Sequence, residues 1–505
     1  MMHPGHQNPD YVGPSGPTDP WLSVLKVDSI DGQPISLLAN FSMHYFAGHA
    51  GVSADYFGRF AAELAKRLAP DDRDFVGIMS QGTSGDLWWG DYSVPKSEKP
   101  FNDIEQFTKG LVDKTFEACR DIEMRADARL AMAERRMTLG RRLPDEGRLA
   151  WARRKLKLMG DERPRDRPEV YAQQAVYLQE NPTVTVPIQA IRIGELGITT
   201  LPNEVYAITG LKLKAQSPLP LTFNLSLANG ASGYIPPPEQ HALGGYTTWP
   251  ARTAGLEKEA EPKIVAALLE LLEEVSGENR KPASEKMSRY SKSVNATNPV
   301  GYWRMGDLHG PELENLKPTG RLTAKGDVAY HLPGPSRDGY GHEHESRAIQ
   351  LAGGKLLLDG VDLNGDFSVV FHFLVGTPMD FRGTTATLVE FGGQRLTITG
   401  SDHGPPGRLM LAGSVGTSTL ETNVWYRMVM RRSGDLLSVY LGSNAEPVVS
   451  AKLTDVSAKP TDSVRSLTIG GDQSDASNLE GRIDELAIYD ETADLSKLLS
   501  LTERP

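Results

Sequence analysis

The pattern of apolar residues changes once along this chain of 505 residues, at a polar segment over residues 276–298. Before this segment, short apolar runs alternate with stretches whose apolar residues recur every three to four positions, as in helices buried on one side. After it, apolar residues recur at every second position in many short runs, which is typical of strands. The two patterns predict two domains of different fold class.

An α/β fold, with helices packed against a mixed sheet, is predicted for residues 1–280. Two strand-like runs flank Asp31-Gly32, which is a hairpin signal. Apolar side chains then fall on one face of a helix over residues 55–68. A short apolar strand over residues 75–79 follows, and this succession of strand, helix and strand indicates an α/β layer structure.

Residues 281–297 have the composition of a linker, and residues 298–505 are predicted to form an all-β jelly-roll sandwich. Strands are expected over residues 367–373, 396–398, 409–411, 425–430, 436–441, 467–469 and 483–489. Turn sequences such as Ser433-Gly434-Asp435 separate them.

Composition excludes several classes of function. A net charge of −11 argues against general nucleic-acid binding, which depends on neutralising phosphates. No apolar run reaches the roughly 18–20 residues that cross a bilayer. The first residues have neither a basic nor an apolar region, so they are not expected to act as a signal peptide. The single cysteine, Cys119, cannot build a thiolate metal site and is expected to be a small buried apolar residue.

Residues 120–168 form a basic insert with 15 Lys and Arg against 9 Asp and Glu, and long helical stretches. One interpretation is a docking surface for acidic groups or lipid headgroups. The other, which we favour from sequence alone, is a solvated helical pair whose charges face water.

Five residues before the polar segment have the chemistry of a hydrolytic metal site. His44 and Glu204 each follow the end of a predicted strand, where imidazole and carboxylate groups can bind a metal. Asp86, in a glycine-containing loop, can hydrogen-bond a ligand or orient His44. Tyr234 and Tyr246 lie among glycines and prolines, where a phenol can bind a metal or donate to an oxyanion. The alternative is a structural histidine, an ordinary loop and two surface tyrosines.

A second group of possible metal ligands, His342, Glu343, His344 and Glu345, lies after the polar segment. On a strand the two histidines would share one face. The preceding Pro- and Gly-rich run instead favours a solvated surface loop.

Six segments of residues 7–277 resemble, in order and spacing, the neutral/alkaline non-lysosomal ceramidases, a family of zinc amidases. They are NPDYVGPSGPTDP, DGQPISLLANFSMH, VSADYFG, QGTSGD, LPNEVYAITG and ANGASGYIPPPEQHALGGY. The resemblance implies a secreted, periplasmic or cell-surface hydrolase that uses zinc-activated water to cleave the N-acyl amide bond of a lipid such as ceramide.

By this resemblance, His44, Glu204 and Tyr234 match three zinc ligands, and Tyr246 matches a tyrosine that stabilises the tetrahedral intermediate. The family's other zinc histidine lies in a His-x-His segment upstream of NPD. The chain is therefore interpreted as N-terminally truncated and is expected to bind zinc poorly and to be inactive as it stands. Trp88 replaces a family serine and, with Trp89, is expected to reshape the substrate pocket, which favours a substrate other than ceramide as an alternative.

Residues 298–505 resemble the laminin-G-like and concanavalin-A-like jelly rolls appended to secreted bacterial enzymes. The matching segments are YWRMGD, GDFSVVFHF, NVWYRMVMRR and GRIDELAIYDETADLSKLLSL. This resemblance implies a glycan or cell-surface ligand, sometimes bound with calcium. A third hypothesis, of another class, follows: the whole chain is a non-catalytic binding protein in which the first domain is a scaffold.

Overall fold

A computed structural model provides the coordinates of the chain. It describes residues 4–8, 11–46, 51–72, 74–96, 104–283, 287–335, 346–363, 365–377, 379, 383, 385–452, 467–472, 477–490 and 493–501. The cluster His342, Glu343, His344 and Glu345 lies outside the described residues. The chain divides into two compact units: an N-terminal unit of residues 1–6 and 18–284, and a C-terminal unit of residues 7–17 and 285–505.

The N-terminal unit combines helices with short sheets. Its strands are β1 (Ser23–Asp28), β2 (Pro34–Phe41), β3 (Val76–Gln81), β4 (Leu130–Gly140), β5 (Thr183–Ile193), β6 (Leu196–Thr200), β7 (Glu204–Val205), β8 (Leu221–Leu225) and β9 (Tyr234–Ile235). Its helices are α1 (Asp55–Leu68), α2 (Ile104–Cys119), α3 (Glu146–Met159), α4 (Arg167–Glu180), α5 (Ala207–Gln216), α6 (Gln240–Leu243) and α7 (Ala260–Ser276). Short 3-10 turns span Tyr246–Thr248 and Arg252–Ala254.

Parallel and antiparallel pairings occur together in these sheets, as the α/β prediction requires. The three-stranded sheet has the order β1-β2-β3 and the four-stranded sheet the order β4-β5-β6-β8. β1 and β2 form the predicted antiparallel hairpin, whereas β3 lies parallel to β2 after the crossover through α1. The Asn40 side-chain amide donates to the Asn224 carbonyl (3.0 Å) and so joins β2 to β8.

Two hydrophobic cores support this unit. In the first, α1 places Tyr56, Phe60 and Leu64 against Leu37 of β2. In the second, α7 buries its apolar residues against β4 and β5. Its glutamates Glu270 and Glu274, in contrast, are not part of that core.

The C-terminal unit is built mainly from strands, with one short helix before them and another after them. Its helices are α8 (Arg289–Ala296) and α9 (Leu495–Ser500). Its strands are β10 (Gly301–Trp303), β11 (Glu312–Leu313), β12 (Arg321–Lys325), β13 (Val328–Pro333), β14 (Arg347–Ala352), β15 (Lys355–Asp359), β16 (Phe367–Val375), β17 (Ala386–Phe391), β18 (Gln394–Ile398), β19 (Arg408–Leu411), β20 (Ser414–Thr419), β21 (Trp425–Ser433), β22 (Leu436–Leu441), β23 (Val449–Lys452), β24 (Leu467–Ile469) and β25 (Glu480–Tyr489).

These strands form two antiparallel sheets that pack as a sandwich, which confirms the predicted fold class. The first sheet has the order β13-β14-β25-β16-β21-β22-β23, with β10 also paired to β25. The second has the order β11-β12-β15-β24-β17-β18-β19-β20. Burial alternates along β15, where Leu356 and Leu358 are fully buried, so its period-2 pattern records which side chains point into the sandwich. Every residue of β16, in contrast, is buried.

Part of the segment predicted as a linker is folded. Within residues 281–297 the structure places α8, which begins after Ser288, whose hydroxyl accepts the Ser291 backbone N–H (3.0 Å). Tyr290 and Val294 on α8 are almost fully buried against the sandwich. The helix has only two large apolar side chains one turn apart, which is too short a pattern to detect in a polar sequence.

Candidate functional site

Glu204, Tyr234 and Tyr246 come together in the N-terminal unit. The two-residue strands β7 and β9 pair in parallel, with Glu204 directly opposite Tyr234. The Tyr234 phenol hydrogen-bonds both Glu204 and Tyr246, and the two tyrosine rings meet edge to face with centroids 5.6 Å apart. Burial, followed by these hydrogen bonds, raises the pKa of Tyr234, so the phenol stays protonated at neutral pH.

Two glycines allow the backbone to bring this cluster together. The Gly85 N–H donates to the Val205 carbonyl (2.7 Å), and a Cβ at Gly85 would lie 2.8 Å from the Glu204 carbonyl oxygen. Gly233 has a φ of +78°, and a Cβ there would lie 2.5 Å from the Thr253 carbonyl oxygen. Both positions need the absence of a side chain because other backbone segments pass next to them.

Two residues without any motif in the sequence, Tyr206 and Arg142, fix the turn that contains Tyr246 and the residues that follow it. The buried Tyr206 hydroxyl is 2.6 Å from the Thr247 hydroxyl. The Arg142 guanidinium donates to the carbonyls of Thr248 (2.7 Å), Leu256 (3.1 Å) and Ala254. No sequence signal would have found these residues, because Arg142 lies more than 100 positions from the turn and Tyr206 resembles any core tyrosine.

Asp86 helps to begin α5. Its Oδ1 accepts the backbone N–H of Ala207 (2.8 Å), the first residue of that helix, so its hydrogen bond goes to α5 rather than to His44. Burial raises the pKa of the carboxyl from 3.8 to about 7, although the hydrogen bond from Ala207 opposes the shift. A carboxyl with this pKa can hold or release a proton near neutral pH.

His44 contacts aromatic side chains. Its ring stacks on Tyr45 (centroids 4.2 Å apart) and lies 5.4 Å from the ring of Trp88, and its Nδ1 is 2.7 Å from the Tyr45 carbonyl oxygen. Trp89 instead packs in a hydrophobic core, with its ring parallel to that of Phe46. The roles predicted for these three residues in metal and substrate binding stay predictions.

Within the described residues, no group of three or more His, Cys, Asp and Glu side chains is gathered so that it could hold a metal ion. Over the same part of the chain, no helix combines the length and the apolar character needed to cross a bilayer.

The two sheets of the C-terminal unit differ in what covers their outer faces. Helices α8 and α9 pack on the first sheet, where Val370 and Val429 are buried under Tyr290 and Leu498. The second sheet carries a largely polar row across its outer face, which we call the outer row: Thr323, Leu357, Thr468, Glu390 and Arg395, in strand order.

Arg395 at one end of the outer row is held in place while it stays open to solvent. Its guanidinium bonds the Asp472 carboxylate (3.0 Å), yet its side chain is 55% exposed. Asp472 in turn accepts from the Ser477 hydroxyl (2.9 Å). This end of the row therefore presents the N–H donors of a fixed guanidinium to solvent, while the Asp472 carboxylate that holds it is buried.

Similar solved structures cover only part of the chain. A Trypanosoma rangeli sialidase in complex with 2,3-difluorosialic acid is 15% identical over 40% of this chain and 32% of its own, with a TM-score of 0.31. The receptor-binding domain of botulinum neurotoxin mosaic serotype C/D is 13% identical over 40% of this chain and 50% of its own, with a TM-score of 0.29. The chain thus spans about a third of the first protein and half of the second, and similarity at such low TM-scores is not evidence of a shared function.

No curated protein is similar enough to this chain to match it. The predicted ceramidase resemblance of the N-terminal unit gains no support from these comparisons. Residues 364–496 match a protein family, Laminin_G_3, described as the concanavalin A-like lectin/glucanases superfamily. This match lies inside residues 298–505 and confirms that the C-terminal sandwich is a laminin-G-like, concanavalin-A-like domain.

Proposed function

We propose that the chain is a glycan-binding protein that uses its C-terminal sandwich. The observation that carries the proposal is the match of residues 364–496 to a superfamily described by its lectins and glucanases. On the second sheet, the outer row offers the polar surface that such a ligand needs, whereas helices cover the corresponding face of the first sheet.

The chemistry of the outer row suits sugar hydroxyls. A planar guanidinium at Arg395 supplies several N–H donors in fixed directions, and the Glu390 carboxylate opposite it supplies acceptors. Thr468 lies beside Glu390 but is only 8% exposed, so Arg395 and Glu390 are the groups that a sugar would meet at this end of the row. Specific binding of a polar ligand depends on a few such groups held in fixed positions.

The test measures binding of the full chain to an array of oligosaccharides, followed by titration calorimetry with the best ligand in calcium and again in a chelator. Arg395→Gln is expected to weaken binding at least tenfold. The matched control, Arg289→Gln, removes an exposed arginine from α8 on the other sheet and is expected to keep the wild-type affinity. Absence of saturable binding to any glycan, or equal effects of the two substitutions, would contradict the proposal.

As a second candidate, we propose that the N-terminal unit belongs to a zinc-dependent hydrolase of N-acyl amides. The observation that favours it is the contact of Tyr234 with both Glu204 and Tyr246. By the ceramidase resemblance, Glu204 and Tyr234 match zinc ligands, and Tyr246 matches the tyrosine that stabilises the tetrahedral intermediate. When bound, zinc would supply an activated water and polarise the amide carbonyl.

The residues gathered in the described part of the chain do not make a complete zinc site. Zinc sites normally have three or four good donors, usually including more than one His or Cys. Here Glu204 and Tyr234 meet, while the hydrogen bond of His44 goes to a carbonyl and its ring contacts are aromatic. Tyr246, with 41% of its surface exposed, can donate a hydrogen bond to a ligand only if it gives up its hydrogen bond with Tyr234.

Zinc titration of the full chain tests this second function. We expect weak binding that Glu204→Gln abolishes, while the control Glu195→Gln, in an exposed turn, leaves it unchanged; hydrolysis of ceramide and of short N-acyl amino acids should be undetectable. If Glu204→Gln bound zinc as well as the wild type does, Glu204 would not be a zinc ligand. One zinc per chain with amide turnover would show that the donor set is complete after all.

A further inference from the structure

A cavity in the N-terminal unit lies outside both proposed sites. It has a volume of about 610 Å³ and opens between α3, α4 and the residues that follow the turn of Tyr246. We call it the arginine–tryptophan cavity and define it by six lining residues: Arg142, Arg148, Trp151, Arg167, Tyr171 and Trp249. Its volume falls in the range of roughly 300–1,000 Å³ typical of small-molecule sites.

The walls of this cavity are mainly apolar. Trp249 and Tyr171 meet edge to face, with ring centroids 5.8 Å apart, so the loop and α4 form one aromatic corner. Trp151 of α3 lines the cavity as well, and Leu178 and Ala175 add buried aliphatic surface. Trp249 keeps 41% of its surface exposed, which leaves a broad indole face available to a ligand.

The charges around the cavity are predominantly positive. Three arginines and one carboxylate, Asp145, line it. Asp145 already caps α3, because it accepts the Arg148 backbone N–H (2.7 Å). Among the described residues, no salt bridge joins Arg142, Arg148 or Arg167 to a carboxylate. The guanidinium of Arg148 instead lies over the Trp151 ring, 4.3 Å from its centroid.

The three arginines have separate roles. Arg142 is committed to the backbone carbonyls of Thr248, Ala254 and Leu256 and acts as a positioning residue that keeps one wall in place. Burial lowers its pKa, which is consistent with a cation held in a largely apolar setting. Arg148 and Arg167 are exposed at the first turns of α3 and α4, where their guanidinium groups remain available to an anion.

We propose that the arginine–tryptophan cavity binds an anionic amphiphile, a molecule with an apolar chain or ring that ends in a carboxylate. The apolar part lies against Trp151, Tyr171 and Trp249, and the carboxylate pairs with Arg148 and Arg167 at the rim. A guanidinium matches a carboxylate through two parallel N–H donors, which gives this ligand an advantage over a neutral amphiphile. The proposal depends on neither glycan binding nor a zinc site.

The test uses the full chain and dodecanoate below its micelle-forming concentration, followed by titration calorimetry and by tryptophan fluorescence. We expect saturable binding of one dodecanoate per chain, with dodecan-1-ol and acetate each at least tenfold weaker. Arg148→Gln combined with Arg167→Gln is expected to weaken dodecanoate binding at least tenfold. The control pair Arg153→Gln and Arg154→Gln removes two exposed arginines of α3 that do not line the cavity and should keep the affinity.

A further variant locates the ligand even if the arginine variants fold poorly. Trp249→Phe retains an aromatic wall, so it should keep the affinity within threefold while it reduces the fluorescence change. Four results would overturn the proposal: no saturable binding, equal affinity for dodecan-1-ol, equal losses in the two arginine pairs, or an undiminished fluorescence change in Trp249→Phe.

Discussion

Replacement of Asp86 by asparagine should remove a pH-dependent loss of stability from the N-terminal unit. The asparagine oxygen can still accept the Ala207 N–H at the start of α5, so the substitution preserves the hydrogen bond and removes only the ionisation. Burial raises the pKa of the carboxyl from 3.8 to about 7 in the folded chain. Between these two pKa values, the Asp86 carboxyl therefore keeps its proton in the folded state and has already lost it in the unfolded state.

The sign and the size of the effect follow from this difference. Below pH 4 both states are protonated, and the stabilisation by the neutral carboxyl is fully present. This stabilisation is lost as the pH rises from about 4 through 7, because over that range the folded state binds more protons than the unfolded state. A shift of about 3 pKa units corresponds to about 4 kcal/mol. Since Asp86 is still partly exposed to solvent, this figure is an upper bound.

Urea unfolding between pH 4 and pH 8, read by hydrogen exchange on the peptide that contains Ala207, measures the effect. The difference in the free energy of unfolding between Asp86→Asn and the wild type should be near zero at pH 4. It should grow in favour of Asp86→Asn as the pH rises and level off above pH 7. Asp121→Asn, at an exposed position, is the control and should show no such slope. A difference between wild type and Asp86→Asn that stays constant from pH 4 to pH 8 would refute the argument.

Three further substitutions test the packing that supports the two units. Lys212→Met leaves Glu261, whose side chain is 1% exposed, without its ion-pair partner and should lower the free energy of unfolding by about 3–5 kcal/mol in urea titrations. Gly85→Ala pushes a Cβ against the Glu204 carbonyl and should cost about 1–3 kcal/mol, with faster hydrogen exchange at Glu204. Leu498→Ala opens a cavity under α9 and should lower the thermal unfolding midpoint of the C-terminal unit, at a cost of about 2–5 kcal/mol.

Each of these substitutions has a control of the same chemical type at an exposed or open position. They are Lys66→Met on α1, Gly110→Ala on α2, where a Cβ meets nothing within 4 Å, and Leu436→Ala, where the leucine is 41% exposed. If a control cost as much stability as its partner, the effect would come from the residue type rather than from the packing described here.

The strands of the C-terminal sandwich could be predicted because their pattern is local. In β16, Phe367, Val369, Phe371 and Phe373 alternate along the chain, and the period of 2 that points them into the sandwich is a property of any extended backbone. The helix α1 was predictable for the same reason, since one apolar face recurs along it with the helical period.

The candidate site in the N-terminal unit could be predicted only in part. The residue types of Glu204, Tyr234 and Tyr246 suggested ligand chemistry, but their contact depends on β7 and β9, which are two residues long and have no detectable period. Tyr206 and Arg142, which hold the Tyr246 turn, were missed because nothing near them in sequence marks their partners.

The sequence by itself determined the two fold classes, the alternation of buried side chains and the residue types available for chemistry. Only the tertiary structure decided which of those residues meet, that α8 covers one sheet of the sandwich, and that the basic insert lines an aromatic cavity together with α4 and Trp249. The physical reason is that periodicity depends on the geometry of a single element, whereas a site depends on side chains brought together by the packing of elements that lie far apart in the chain.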